Sequence, residues 1–145
     1  MKTKIFRFTP IENPHPFVFA TALRKKVFVE EQGVKREDEF DEFENTSIHY
    51  VVRSGHKYLG TARWRFTDEG IKLERFAVKK EYRNQGVGSE LLNHILDEVK
   101  KKENKKIYLH AQLPAVKFYE RAGFAKEGEL FSECNIDHYK MVYKG

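Results

Sequence analysis

Apolar and polar positions along the chain repeat with two different periods. Residues 4–8 read as a short strand closed by Pro10, and Asn13-Pro14-His15-Pro16 reads as a break that stands outside any helix. Residues 17–31 then carry a helical stripe that includes Val18, Ala22 and Val27, with Gly33 as its stop. Ile48, Tyr50 and Val52 share one face of a strand over residues 48–53. After a turn at residues 54–57, Tyr58, Gly60, Ala62, Trp64 and Phe66 alternate with Leu59, Thr61, Arg63 and Arg65, the pattern of a half-buried strand. A second turn at residues 67–70 leads into a third strand, and the three predict an antiparallel meander.

That third strand, residues 71–78, changes phase. Ile71 and Leu73 share one parity and Phe76 and Val78 the other, so either both faces are buried or a β-bulge near Glu74-Arg75 resets the alternation. Residues 81–88 read as a loop. Val87, Leu91, Leu92, Ile95, Leu96 and Val99 then predict a helix over residues 86–102. Residues 107–111 form a strand, and a helix follows over residues 115–122, with Pro114 at its entry, Val116 and Tyr119 on it, and Gly123 at its stop. Strands over residues 124–131 and 136–143 complete a β-α-(α)-β-β-β-α-β-α-β-β order. That order predicts an α/β (α+β) architecture with one mixed sheet covered by helices.

Composition narrows the picture. The 145 residues suit one domain, residues 1–145, and the lone Cys134 excludes an intrachain disulfide framework and a multi-cysteine zinc site. The longest apolar stretch, residues 17–20, is too short to span a bilayer, and residues 1–7 lack the apolar core of a secretion signal. A cytoplasmic protein without a membrane partner is expected. The net charge of +5 suggests an anionic partner, either nucleic acid or a phosphorylated small molecule. Charge is unevenly spread. Residues 37–44 hold six acids interrupted by Phe40 and Phe43, and residues 100–106 hold five lysines. The lysines fall where a helix should end, which suits the helix dipole. The phenylalanines can anchor a short turn that holds the acids outward, as a solvated face or as the border of a site for a cation.

The most informative segment is Arg83-Asn84-Gln85-Gly86-Val87-Gly88-Ser89, between a strand and a helix. Glycines there let backbone N–H groups approach an anion, the helix N-terminus adds a favourable field, and Arg83 adds a charged donor. The alternative is a tight strand-to-helix connection. A Walker loop is excluded because no Lys follows Gly88, and a dinucleotide fingerprint is excluded because Leu91 stands where a third glycine is needed.

The run from Glu74 through Leu92, Glu74-Arg75-Phe76-Ala77-Val78-Lys79-Lys80-Glu81-Tyr82-Arg83-Asn84-Gln85-Gly86-Val87-Gly88-Ser89-Glu90-Leu91-Leu92, resembles the acetyl-CoA motif of the GNAT N-acetyltransferase superfamily. Ala115-Val116-Lys117-Phe118-Tyr119-Glu120-Arg121-Ala122-Gly123-Phe124 resembles the second CoA-side motif of that family. Leu23-Arg24-Lys25-Lys26-Val27-Phe28-Val29-Glu30-Glu31-Gln32 and Ile136-Asp137-His138-Tyr139-Lys140-Met141 resemble its ElaA/YjcF-like branch.

The resemblance implies a mostly antiparallel sheet of about six or seven strands with a splayed fourth and fifth pair, flanked by about four helices. It implies acetyl-CoA as acyl donor, with the pyrophosphate on Arg83, Asn84, Gln85, Gly86, Val87, Gly88 and Ser89, and the rest against Phe76, Ala77, Val78, Phe118 and Tyr119. It implies transfer of acetyl to a primary amine of a small acceptor by direct attack, with no metal, and a homodimer is compatible with it. Tyr119 matches the family's general acid, and Glu74, at the inferred bulge, is the candidate base. Glu31, Gln32 and His138 are candidate acceptor contacts. His110 can also titrate near neutral pH, or serve structurally. Gln112 stands near the strand end where the family often has Asn. Cys134 and His138 are too few for a metal site, and Cys134 reads as a loop residue. An acyl-CoA-binding sensor without turnover fits the same motifs. A nucleic-acid module does not, because no aromatics interleave the lysines.

Overall fold

The alternating stretches become strands and the helical-period stretches become helices in a computed structural model that describes residues 2–102 and 106–145. In chain order the elements are β1 (Lys4–Phe8), α1 (Pro14–Arg24), α2 (Arg36–Glu39), β2 (Ile48–Ser54), β3 (Lys57–Thr67), β4 (Gly70–Val78), α3 (Val87–Val99), β5 (Ile107–Gln112), α4 (Val116–Arg121), β6 (Phe124–Glu133) and β7 (Ile136–Tyr143). Short 3₁₀ turns at Lys80–Tyr82 and Leu113–Ala115 lead toward α3 and α4. The strands form one seven-stranded sheet in the order β1-β2-β3-β4-β5-β7-β6. Every neighbouring pair is antiparallel except β4 and β5. The expected meander is β2-β3-β4, and the expected mixed sheet with helices on it is the architecture found.

One face of the sheet packs Trp64, Ile71 and Leu73 against Leu91, Leu92 and Ile95 of α3 and Tyr119 of α4. The other face packs Val51 and Ala77 under Ala20, Leu23 and Val27. The first helix departs from the sequence expectation in two ways. It starts at Pro14, so the Asn13–Pro16 segment is its cap and first turn rather than a break before it. Proline is tolerated there because first-turn N–H groups have no intrahelical acceptor to lose. Its buried stripe runs through Pro16, Ala20, Leu23 and Arg24, while Val18 is 62% exposed and Ala22 lies outside the core. The expected stripe missed this face because a charged residue, Arg24, occupies it. Beyond Arg24 the backbone widens into a π-helical stretch, Lys25–Glu31, and Gly33 follows at φ 73°.

Strand β3 is buried on both faces rather than on one, since Thr61 and Arg63 are covered along with Ala62 and Trp64. The phase change in β4 is a bulge. Thr61 pairs with Ala77 and Arg63 with Glu74, so β4 spends three steps where β3 spends two. Arg75 sits in it at φ 60°, a left-handed conformation rare for a side-chain-bearing residue. Beyond the bulge the sheet opens. Strand β4 pairs with β5 only at Ile71, Lys72 and Leu73, alongside Ile107, Tyr108 and Leu109. Residues 110–112 of β5 continue on β7 instead, with Gln112 opposite His138. The splayed fourth and fifth strands leave a gap in the middle of the sheet. The lysine run is described only in part, since residues 103–105 lie outside the described residues. Lys100 pairs with Asp97, and Lys106 pairs with Glu69 and Glu127.

Candidate active site

Two features meet at the splayed strands. The first is the start of α3. Asn84 (φ 62°) and Gly86 (φ 84°) turn the chain through left-handed conformations, and Gly86 becomes the helix N-cap with no side chain capping it. The first-turn amides of Val87, Gly88 and Ser89 have no acceptor within the helix, so they can serve an anion. Val87 itself is a core residue; its contribution to a ligand is its amide. A Cβ on Gly88 would lie 3.5 Å from the Phe118 ring and 3.9 Å from Val78 Cγ2, so these three residues share one surface. Gln85 braces the loop by donating to the Glu81 carbonyl at 3.1 Å. Arg83 is spent differently from the sequence expectation. Its Nε donates to the Val78 carbonyl and its Nη2 to Glu31, each at 2.9 Å. Arg83 therefore locks the loop to the end of β4, and Glu31 belongs to this lock rather than to the wall of the cavity described next.

The second feature is that cavity, about 190 Å³, in the β4–β5 gap. Phe76 and Tyr119 form its wall on the α4 side, edge to face with centroids 6.1 Å apart. Tyr119 is 8% exposed, packs edge-on against Phe118 and Phe124 as well, and takes no hydrogen bond from its hydroxyl among the described residues. Burial raises its phenol above the ordinary range, so it is protonated at neutral pH and can donate. Gln32, Gln112 and His138 line the cavity, and Gln112 Nε2 donates to Gln32 Oε1 at 2.8 Å. Two of the three expected acceptor contacts thus reach it. Cys134 stands on its rim, in the two-residue β6–β7 turn it forms with Asn135, both at positive φ.

Glu74 also lines the cavity, but its setting does not suit a base. Burial would raise its carboxyl, yet Arg63, with Arg65 and Lys72, outweighs burial and holds it down at about 2. The Arg65 guanidinium lies 2.8 Å from it, Arg63 3.0 Å and Lys72 3.2 Å. A carboxylate of that acidity has little affinity for the proton of an ammonium ion. It is a fixed negative charge instead.

The acidic run, expected to hold its charges outward, turns three of its acids inward. Glu39 meets Arg24 at 2.8 Å and Arg75 at 3.3 Å. Glu44 bridges Arg24 and Arg63 at 2.8 and 2.9 Å, and Asp41 takes Arg63 at 2.7 Å and Arg75 at 3.1 Å. Arg24 and Arg63 are 1% and 0% exposed, the most buried charges of the network. Phe40 and Phe43 do not point into the core either; Phe40 lies under the guanidinium groups of Arg24 and Arg36, and Phe43 under that of Arg65. Sequence reasoning missed this network because it treats each arginine as a surface residue. The available signal was two arginines on otherwise buried stripes and an acid-rich segment able to meet them.

The acetyltransferase (GNAT) domain model matches residues 20–144. The N-acetyltransferase YjcF of Bacillus subtilis, described as uncharacterized, is 39% identical over 121 residues, covering 83% of this chain and 86% of YjcF. Two solved structures share the fold: an acyl-CoA N-acyltransferase from Pseudomonas aeruginosa (TM-score 0.89, 21% identity, 99% of this chain and 100% of that one) and Escherichia coli ElaA (TM-score 0.88, 23% identity, 99% and 100%). Splayed strands beside an uncapped helix start, in a chain matched over most of its length, have one consistent meaning: this chain belongs to the GNAT family of acyl-CoA-dependent acetyltransferases.

Proposed function

We propose that this protein, a member of the ElaA/YjcF-like branch, transfers the acetyl group of acetyl-CoA to the primary amine of a small acceptor by direct attack. The observation that carries this reading is the cavity in the β4–β5 gap. It has, on its α4 side, a tyrosine hydroxyl with no partner among the described residues, and a wall of carboxylates and imidazoles on the other. The amides at the start of α3 hold the pyrophosphate, and the surface of Val78, Gly88 and Phe118 guides the chain that leads to the thioester. Lys79 and Lys80, next to the loop, steer the phosphates toward it. The unpaired edge of β4 past the bulge offers its backbone to the pantetheine amides, as an added strand would. Tyr119 gives its proton to the departing sulfur. Gln32, Gln112 and His138 bound the acceptor side, and the carboxylates of Asp38 and Glu133 in the cavity lining favour a cationic amine.

The test is release of free thiol from acetyl-CoA with a panel of amines that includes glucosamine, spermidine and lysine, alongside calorimetry with CoA. Amine-dependent thiol release supports the reading. CoA binding without thiol release describes an acyl-CoA sensor instead, and no binding at all overturns both.

A further inference from the structure

Transfer to an amine needs a group that takes a proton from the ammonium form, and Glu74 is too acidic for that. A different pair of residues on the cavity wall has the required chemistry. His110 of β5 and Glu133 of β6 both line the cavity, and His110 Nδ1 lies 3.0 Å from Glu133 Oε2. The carboxylate accepts, so Nδ1 carries the proton and Nε2 carries the lone pair in the neutral ring. The ring is held from one side as well, edge-on to Phe131 at 5.1 Å. Hydrogen bonding from His110 lowers the Glu133 carboxyl, which keeps it ionised as the partner of an imidazolium.

The other charges around His110 are already committed. On β4, Lys72 pairs with Glu74 at 3.2 Å. On β7, Lys140, directly opposite His110, reaches Glu69 and Glu127 at the outer end of the sheet. His138, on the same strand, ties Nδ1 to the Ile136 carbonyl at 2.7 Å and, among the described residues, has no carboxylate at hydrogen-bond distance. Across the cavity Glu39 and Arg75 pair with each other, and Asp38 stays exposed to solvent. On the α4 side Tyr119 is neutral.

We infer that His110, oriented by Glu133, is the general base for the acceptor amine, on the opposite side of the gap from Tyr119. This rests on the acetyl-transfer reading above. One proton passes from the ammonium group to His110 Nε2, and the freed nitrogen lone pair forms the C–N bond at the thioester carbonyl. The C–S bond breaks, the sulfur takes the Tyr119 proton, and the second proton lost by the nitrogen returns to the Tyr119 oxygen. The proton on His110 leaves to solvent, so each turnover releases amide, free thiol and one proton. Here His110 is the catalytic residue and Glu133 the positioning residue.

The experiment compares ethylamine, charged at neutral pH, with trifluoroethylamine, of similar size and uncharged there. His110→Gln should lower kcat with ethylamine on the order of 10²-fold and leave trifluoroethylamine turnover and CoA affinity nearly as they were. Glu133→Gln should lower kcat with ethylamine and spare trifluoroethylamine, in the pattern of His110→Gln but more weakly, because the base keeps its lone pair and loses its orientation. His138→Gln should raise the acceptor KM for both amines alike. An equal loss for both amines in the His110 variant, or a kcat loss confined to ethylamine in the His138 variant instead, overturns the assignment. Thiol release from the unsubstituted protein with neither these amines nor the wider panel overturns the transfer reading, and the base role falls with it.

Discussion

Arg63 contacts three carboxylates, Asp41, Glu44 and Glu74, from a position with no solvent exposure. Removing it as Arg63→Met leaves those acids facing one another in a poorly hydrated space. Breaking a buried charge cluster on one side costs about 3–5 kcal/mol. Arg63→Lys should recover only part of this, since a point charge cannot fork to several carboxylates. Urea unfolding at neutral pH checks both, and the deficit of the Met variant should shrink in acid as the orphaned carboxylates protonate. Tyr119 presents the opposite case, a buried group whose polar atom is not needed by the fold. Tyr119→Phe keeps the edge contacts to Phe76, Phe118 and Phe124 and loses only a hydroxyl without a partner among the described residues. Stability should hardly change. If the hydroxyl protonates the leaving sulfur, kcat should fall on the order of 10²-fold with CoA affinity unchanged by calorimetry. Unchanged turnover would remove the acid role. Tyr119 was legible in the sequence because a tyrosine in a recognisable motif is visible one residue at a time. Arg63 was not, because its meaning lies in Asp41 and Glu44, some twenty residues away along the chain.

The bulge, which lines the cavity, and the start of α3, which presents its free amides, both left local marks. A parity break at Glu74-Arg75 can only be a bulge or a doubly buried strand, and the register of β3 with β4 selects the bulge. The widening at Lys25–Glu31 left no legible mark, because seven residues make fewer than two turns and are too few to separate a π-helical period from an α-helical one. Gly86 makes the loop testable as an element. It caps α3 at φ 84°, and a Cβ there would meet nothing within 4 Å. Crowding is therefore not the issue, and only backbone strain remains. Gly86→Ala should cost about 1–2 kcal/mol, the left-handed penalty of an L-residue. Gly86→Asn should cost less, because Asn tolerates that conformation and serves as an N-cap. Equal losses for Ala and Asn in urea unfolding would contradict a backbone origin.

Across the whole molecule, burial of titratable groups ties stability to pH in two windows. His49 lies 1% exposed between Phe8 and Phe17, its Nε2 donating to the Glu44 carbonyl at 2.8 Å. Burial outweighs that bond and lowers its imidazole from 6.5 to about 4. Below pH 6.5 the unfolded chain takes up a proton that the folded chain refuses. Stability from this group is therefore complete above that value and is lost as pH falls from 6.5 toward 4, to a total on the order of 3 kcal/mol. Asp41 and Glu74, both held at about 2 by Arg63 against the effect of burial, act in the next window. Their contribution is complete above the ordinary carboxylate values of 3.8 and 4.5 and drains away as pH falls toward 2. Glu39, raised by burial over the pull of Arg75 and Arg24, works in the opposite sense, so the sum over all groups does not isolate any one of them. A difference does. His49→Phe keeps an aromatic ring between Phe8 and Phe17, gives up one hydrogen bond at every pH, and removes the titration. Its unfolding free energy should lie below that of the unsubstituted protein near pH 8 and draw level or overtake it by pH 5, since only the imidazole has a proton to gain between those points. Two parallel stability curves over that range would mean that the imidazole titrates alike in the folded and unfolded chains.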